Sequence, residues 1–240
     1  MGKDFMLDQK AVKMDITRGV ADGVINYCEK NMSTNVDSFT LPHRLENTKM
    51  LHQPLHKAAT IAAPYPPKPT APQLVKVHVS KDYMKFNAAH FIAYKGFREK
   101  LHGHNYRLAV TITGQVGPDG YVVDFGEIKR ISRVICKDLN ESFLVPMNSD
   151  VLKISCDDTN ISITTEDLAT FSFPKADCSL LPIVHSSAEE LAIFITNQLV
   201  NAFTLEALLE RGVQKLEVNI SEADQQFASY ERMILSQTTG

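Results

Sequence analysis

The chain has 240 residues, of which 44% are hydrophobic and 22% charged, and a formal net charge of -3. That is an ordinary globular composition, long enough for one domain plus an extension. The charge leaves no basic footprint for nucleic acid, and no apolar run approaches the roughly 20 residues of a membrane span.

In the first segment, Asp4, Asp8, Asp15 and Asp22 argue against an acid-poor transit peptide, and Met6 stands where a myristoylation signal wants serine or threonine. Val12, Ile16, Val20, Val24 and Ile25 form an apolar stripe that predicts a helix over residues 11–30. Residues 31–63 read as irregular. Five prolines within residues 64–72 then forbid a helix and favour an extended linker. The expected organisation is an N-terminal extension and linker over 1–72 and a catalytic domain over 73–240. Cys28, Cys136, Cys156 and Cys178 lack metal-type spacing. With no signal peptide in view they read as reduced thiols, and the expected location is cytoplasmic.

Downstream, residues 74–79 alternate as a strand, with a bent continuation toward residue 91. Residues 92–100 read as a polar loop. A second strand begins near residue 101, runs to Gly114 and precedes the Gly117-Pro-Asp-Gly120 turn. Asp124 and Glu127 have capping-box spacing, followed by an apolar helical face of Ile128, Ile131, Val134, Ile135 and Leu139. Residues 150–182 read as an insertion whose first part, 150–176, holds short strands. Ser186-x-x-Glu189 predicts the start of a second helix carrying Leu191, Ile195, Leu199 and Phe203. Residues 213–221 and 227–235 close the chain as strands. This order implies an α+β domain, an antiparallel sheet with two helices on one face.

Three histidines stand out: His90 in Phe86-Asn-Ala-Ala-His90, then His102 and His104 in Leu101-His-Gly-His-Asn-Tyr106. On a strand, His102 and His104 point to one face, and the run before them places His90 on a neighbouring strand. Three converging imidazoles with no nearby cysteine make the ligand set of a catalytic zinc, which leaves one position for water or substrate.

These two motifs, followed by Gly120-Tyr-Val-Val-Asp-Phe-Gly-Glu-Ile-Lys129, Ser187-Ala-Glu-Glu190 and Ser221-Glu-Ala-Asp224, resemble the 6-pyruvoyltetrahydropterin synthase family. That family includes the 6-carboxy-tetrahydropterin synthases. The resemblance runs in order over about residues 73–235, and ordered spacing is more specific than any single motif. It implies the tunnelling fold, whose subunits join edge to edge into a barrel, usually a homohexamer of two trimers. It also implies action on 7,8-dihydroneopterin triphosphate with loss of triphosphate, and zinc on His90, His102 and His104. Glu222 matches the family's pterin anchor, suited to accept two parallel hydrogen bonds from the pterin N3–H and 2-amino group. Ser187 and Glu189 are further candidates for pterin contact, or else a plain helix cap.

The sequence departs from the family at the base. The usual cysteine position falls on Arg98, next to Glu99, and the usual Asp-His pair falls on Asn140 and Glu141. Glu99 is the leading base, with His185 and Glu141 behind it. The loop Gly96-Phe-Arg-Glu99 resembles a protist and bacterial subgroup associated with cleaving the side chain to 6-hydroxymethyl-7,8-dihydropterin, a folate precursor. Lys95, Arg98 and Lys100 on the same loop are candidates to meet the triphosphate, or equally a solvated loop. The missing relay also leaves open a pterin-binding protein without turnover.

Overall fold

The computed structural model describes residues 73–235. The predicted helix over 11–30 and the proline-rich linker lie outside the described residues.

The two longest strands, β1 (Leu74–His90) and β4 (His102–Gln115), pair antiparallel from Leu74↔Gln115 down to His90↔His102. The predicted bend is a register shift between Ser80 and Lys85, where β1 carries more residues than its partner. Between them, residues 92–100 are not a plain loop. They fold into a tight hairpin of β2 (Ala93–Tyr94) and β3 (Phe97–Arg98), turned at Gly96 with φ of 80°.

β10 (Val213–Ala223) lies on the other side of β4, and β11 (Gln226–Met233) pairs with β10, both antiparallel. Two short strands that the sequence did not disclose extend the sheet from β1. These are β5 (Ser142–Pro146) and β9 (Cys178–Leu181), each paired in parallel, giving the order β11-β10-β4-β1-β5-β9.

One sheet face carries Phe86 and Ala88 of β1, Tyr106, Leu108, Val110 and Ile112 of β4, and Leu216, Val218 and Ile220 of β10, all buried. Against it lie α1 (Phe125–Leu139) and α2 (Ala188–Phe203) in a single core. The α1 stripe is rotated from the expected one: Ile128, Ile131, Ile135 and Leu139 are buried with Ser132 and Cys136, while Val134 is exposed. The i, i+3, i+4 row simply passes through 132 and 136.

Both helix starts differ in detail from the expectation. Asp124 caps α1 by accepting the Gly126 N–H at 2.8 Å, but Glu127 pairs forward with Arg130 at 2.9 Å. At α2 the capping register is Ser187 to Glu190, one residue later than Ser186 to Glu189. The Ser187 hydroxyl accepts the Glu190 N–H at 3.3 Å, and the Glu190 carboxylate accepts the Val184 and His185 N–H groups at 2.7 and 3.2 Å. A short α3 (Leu205–Glu210) follows Thr204.

The insertion forms its own three-stranded antiparallel sheet of β6 (Lys153–Cys156), β7 (Asn160–Thr164) and β8 (Thr170–Pro174). Ile161 and Ile163 of β7 join Phe91, Ala93, Phe143 and Val145 in a second buried cluster. Phe171 stacks on Phe91 at 5.0 Å between centroids, and Phe173 on Phe143 at 4.3 Å. The insertion therefore packs beside the end of β1 that carries His90.

Candidate active site

The β1–β4 register brings the histidines together. His90 and His102 are Cα partners, and His104 lies opposite Ala88, two residues along the same face. The ring centroids are 4.6, 5.1 and 4.9 Å apart, and one ligand atom from each residue lies within 4.8 Å of the others. The glycine between His102 and His104 suits a close approach, since a Cβ there would meet the Ala88 carbonyl oxygen at a tight 3.1 Å.

Backbone carbonyls fix the rings. His90 Nδ1–H donates to the Ser186 carbonyl at 2.7 Å, and His102 Nδ1–H donates to the Lys100 carbonyl at 2.7 Å. A carbonyl only accepts, so these contacts assign the proton to Nδ1 and leave Nε2 as the free lone pair. That is the arrangement by which ligating histidines are usually oriented. His90 is 1% exposed, and its Nε2 is buried with no hydrogen-bond partner among the described residues. Burial lowers the His90 pKa, His102 and His104 add to the effect, and the Ser186 carbonyl opposes it. A neutral, buried, unpaired acceptor facing two more imidazoles fits a transition-metal ion.

Glu99 is brought to this cluster by the hairpin. Its N–H donates to the Ile92 carbonyl at 2.9 Å, and its Oε2 accepts the Ile92 N–H at 3.0 Å. Its charge acts on both His90 and Tyr106. The Tyr106 phenol also donates to Glu222 Oε1 at 3.5 Å.

Tyr106 is a site residue the sequence reading passed over. It is fully buried, stacks on Phe86 at 4.7 Å, and its ring lies 5.5 Å from that of His104 and 6.0 Å from that of His90. Burial, then Glu222 and Glu99, push its pKa far up, so the hydroxyl stays a donor. The signal was available: Tyr106 shares the even-numbered face of β4 with His102 and His104.

The other candidates are placed as follows. His185 precedes the Ser186 carbonyl that orients His90, and its Nδ1 is buried without a partner among the described residues. The Ser187 hydroxyl is used by the α2 cap, and Glu189 lies in the first turn of α2. Asn140 and Glu141 sit at the end of α1. Asn140 Oδ1 accepts the Asn87 N–H at 2.9 Å, and Glu141, with φ of 58°, donates its N–H to the Asn87 carbonyl at 2.7 Å. Arg98 is not free for a triphosphate, because its guanidinium forks onto Asp167, with Nη2–Oδ2 at 2.8 Å. No described helix is long and apolar enough to cross a membrane.

The 6-pyruvoyl tetrahydropterin synthase family model matches residues 78–233. The structure of the Plasmodium vivax 6-pyruvoyl tetrahydropterin synthase is 45% identical with a TM-score of 0.65, covering 67% of this chain and 99% of its own. The Plasmodium falciparum counterpart is 42% identical with the same TM-score, covering 67% and 98%. Variants of the Plasmodium vivax protein replace a glutamate, described as a catalytic residue, by alanine or cysteine. A candidate 6-carboxy-5,6,7,8-tetrahydropterin synthase of Methanocaldococcus jannaschii is 30% identical over 152 residues, 63% of this chain and 91% of its own.

Proposed function

Because the chain belongs to the 6-pyruvoyl tetrahydropterin synthase family, we propose that this enzyme of pterin biosynthesis is zinc-dependent and acts on the side chain of 7,8-dihydroneopterin triphosphate, releasing triphosphate. His90, His102 and His104 would hold the metal. Bound there, zinc supplies Lewis acidity to the oxygens of the substrate side chain. The observation that carries the reading is the buried, unpaired His90 Nε2 beside two further imidazoles, with Glu222 in reach of the neighbouring Tyr106 hydroxyl.

The chain's own groups divide the remaining work. Glu222 accepts the pterin N3–H and 2-amino donors, and Tyr106 steadies that carboxylate. Glu99 keeps one oxygen on the Ile92 amide and offers the other to a side-chain proton. The catalytic glutamate named for the Plasmodium vivax protein supports a glutamate in this role, and Glu99 is the glutamate whose charge reaches both His90 and Tyr106. His185 and Glu141 stand as the other bases to exclude.

Glu99 also favours a second reading, carbon–carbon cleavage. A single carboxylate suffices when it takes the proton of the second side-chain hydroxyl. The bond between the first and second side-chain carbons breaks, its electron pair enters the dihydropterin ring system, and the second carbon leaves as an aldehyde still bearing the triphosphate. The proton returns to the first carbon, giving 6-hydroxymethyl-7,8-dihydropterin. Incubation with 7,8-dihydroneopterin triphosphate and chromatography of the products separates the readings. Inorganic triphosphate with 6-pyruvoyl-tetrahydropterin supports the first, and the hydroxymethyl product supports the second. Unchanged substrate that remains bound would make the protein a pterin binder.

Family membership also makes the protein a homo-oligomer in this reading, the expected form being a hexamer of two trimers. The exposed Phe227 and Met233 of the outer strand β11 are the feature that supports it. A monomeric mass in sedimentation would remove it.

A further inference from the structure

The hairpin bearing Glu99 is too short to hold itself. Its ladder consists of Ala93↔Arg98 and Tyr94↔Phe97, and isolated two-stranded hairpins are marginal. Yet a general base has to be held to a fraction of an ångström. The restraint comes from the insertion, a segment to which the reaction assigns no part.

The turn between β7 and β8 reaches the hairpin at both of its ends. Glu166 Oε2 accepts the Gly96 N–H at 2.7 Å, at the hairpin's tip. Asp167 accepts Arg98 Nε with both oxygens at 3.2 Å, and Nη2 at 2.8 Å. The opposite side of the same guanidinium donates from Nη1 to the Glu99 carbonyl at 2.9 Å. Arg98 is therefore a direct bridge from Asp167 to the backbone of Glu99.

An exposed ion pair on its own contributes little. This one differs in being forked, in leaving Arg98 only 21% exposed, and in seating the guanidinium 5.9 and 5.5 Å from the Phe91 and Phe171 ring centroids. The turn is itself braced. Thr165 is buried, its hydroxyl contacts Asp167 and the Ala169 carbonyl, and Leu168 takes φ of 64°, a conformation uncommon for leucine. Arg98 and then Thr165 hold the Asp167 carboxyl well below the usual carboxylate range, so the brace stays charged at any working pH.

We infer that the Thr165–Ala169 turn of the insertion is a positioning clamp for the catalytic hairpin, with Asp167, through Arg98, and Glu166, through Gly96, as positioning residues for Glu99. The inference rests on the reading of Glu99 as base, and its test separates the two. In the full-length zinc-loaded enzyme, Asp167→Ala should lower kcat about tenfold to a hundredfold, with KM and metal content unchanged. Amide exchange should accelerate at Ile92, Gly96 and Glu99 and stay unchanged along the β1–β4 ladder. The Ile92 amide reports directly, because its acceptor is the Glu99 carboxylate. Asp167→Glu should recover part of the rate. On a Glu99→Gln background, Asp167→Ala should cost nothing further, since it acts only through Glu99.

Unchanged exchange in Asp167→Ala overturns the clamp. Faster exchange with a normal rate, or a full additional loss on the Glu99→Gln background, overturns its role in catalysis. A normal rate in Glu99→Gln removes the base assignment and the positioning role with it, while the exchange data still decide whether the turn holds the hairpin.

Discussion

β1 and β4 pair over a long ladder from Leu74↔Gln115 to His90↔His102, broken by one register shift and flanked by β5 and β10, whereas the hairpin of Glu99 pairs two residues with two and leans on the insertion. The histidines are thus placed by strand register, the most rigid specification a sheet offers. Glu99 is held through Arg98, which a segment 69 residues away grips by its side chains. In the proposed reading, the metal-ligand geometry can be conserved whenever the sheet forms, while the position of the proposed base depends on the insertion. Substitutions should therefore fall into two groups: those that remove metal with the sheet intact, and those that remove turnover with metal intact.

The largest effect belongs to the ladder. His102→Ala should lose both the metal, expected at about one ion per subunit, and turnover. The fold should remain, because His102 is exposed and the core lies further along β4. Metal analysis together with circular dichroism checks this. Full metal content in a His90, His102, His104 triple variant would sink the site. Next comes Glu99→Gln, which keeps the side-chain shape and removes the proton acceptor. Turnover should fall by about two to four orders of magnitude with metal and pterin binding nearly intact. If Glu99→Gln reacts normally and His185→Ala or Glu141→Gln does not, the base lies on another element and the contrast between ladder and hairpin loses its catalytic meaning.

The same contrast explains what could be read from the sequence. The histidine cluster was legible because a strand's period of two puts His102 and His104 on one face, and the motif supplies His90. The helices were legible from their apolar stripes: of the two starts offered for α2, the structure takes the cap at Ser187 and not the one at Ser186, and in α1 Ser132 and Cys136 are buried where Val134 was expected. β5 and β9 were not legible, because segments of five and four residues carry too little periodicity. The hairpin was read as a polar loop for the same reason. Arg98 read equally as a triphosphate contact or a solvated loop charge, because nothing local reveals a partner as distant in sequence as Asp167. Local pattern reports the ladder, and only tertiary contact reports the clamp.

A smaller effect tests recognition. Glu222→Gln exchanges a two-acceptor carboxylate for an amide with one acceptor and a misdirected donor. Pterin affinity should weaken by about 1.5–3 kcal/mol, the range for hydrogen bonds to a charged group, with metal content unchanged. Titration calorimetry with a non-reacting pterin reads it directly. Unchanged affinity would place the pterin elsewhere and detach Glu222 from the site.

The smallest predicted effect is the most discriminating, because Tyr106 belongs to the ladder yet bonds the Glu222 carboxylate. Tyr106→Phe keeps the ring stacked on Phe86 and removes only the hydroxyl that reaches Glu222 at 3.5 Å. That distance is long for an O–H donor, so the loss in pterin affinity should lie at the low end for a hydrogen bond, about 0.5–1 kcal/mol. The phenol's raised pKa means that it donates across the whole working range, so the loss should not vary with pH through phenol ionisation. If Tyr106 works by steadying Glu222, its effect should vanish on a Glu222→Gln background, where no charged acceptor remains. An undiminished effect there would mean that Tyr106 contacts the pterin or the metal site independently. A loss of metal in Tyr106→Phe would show that the ladder and the carboxylates are one unit and not two.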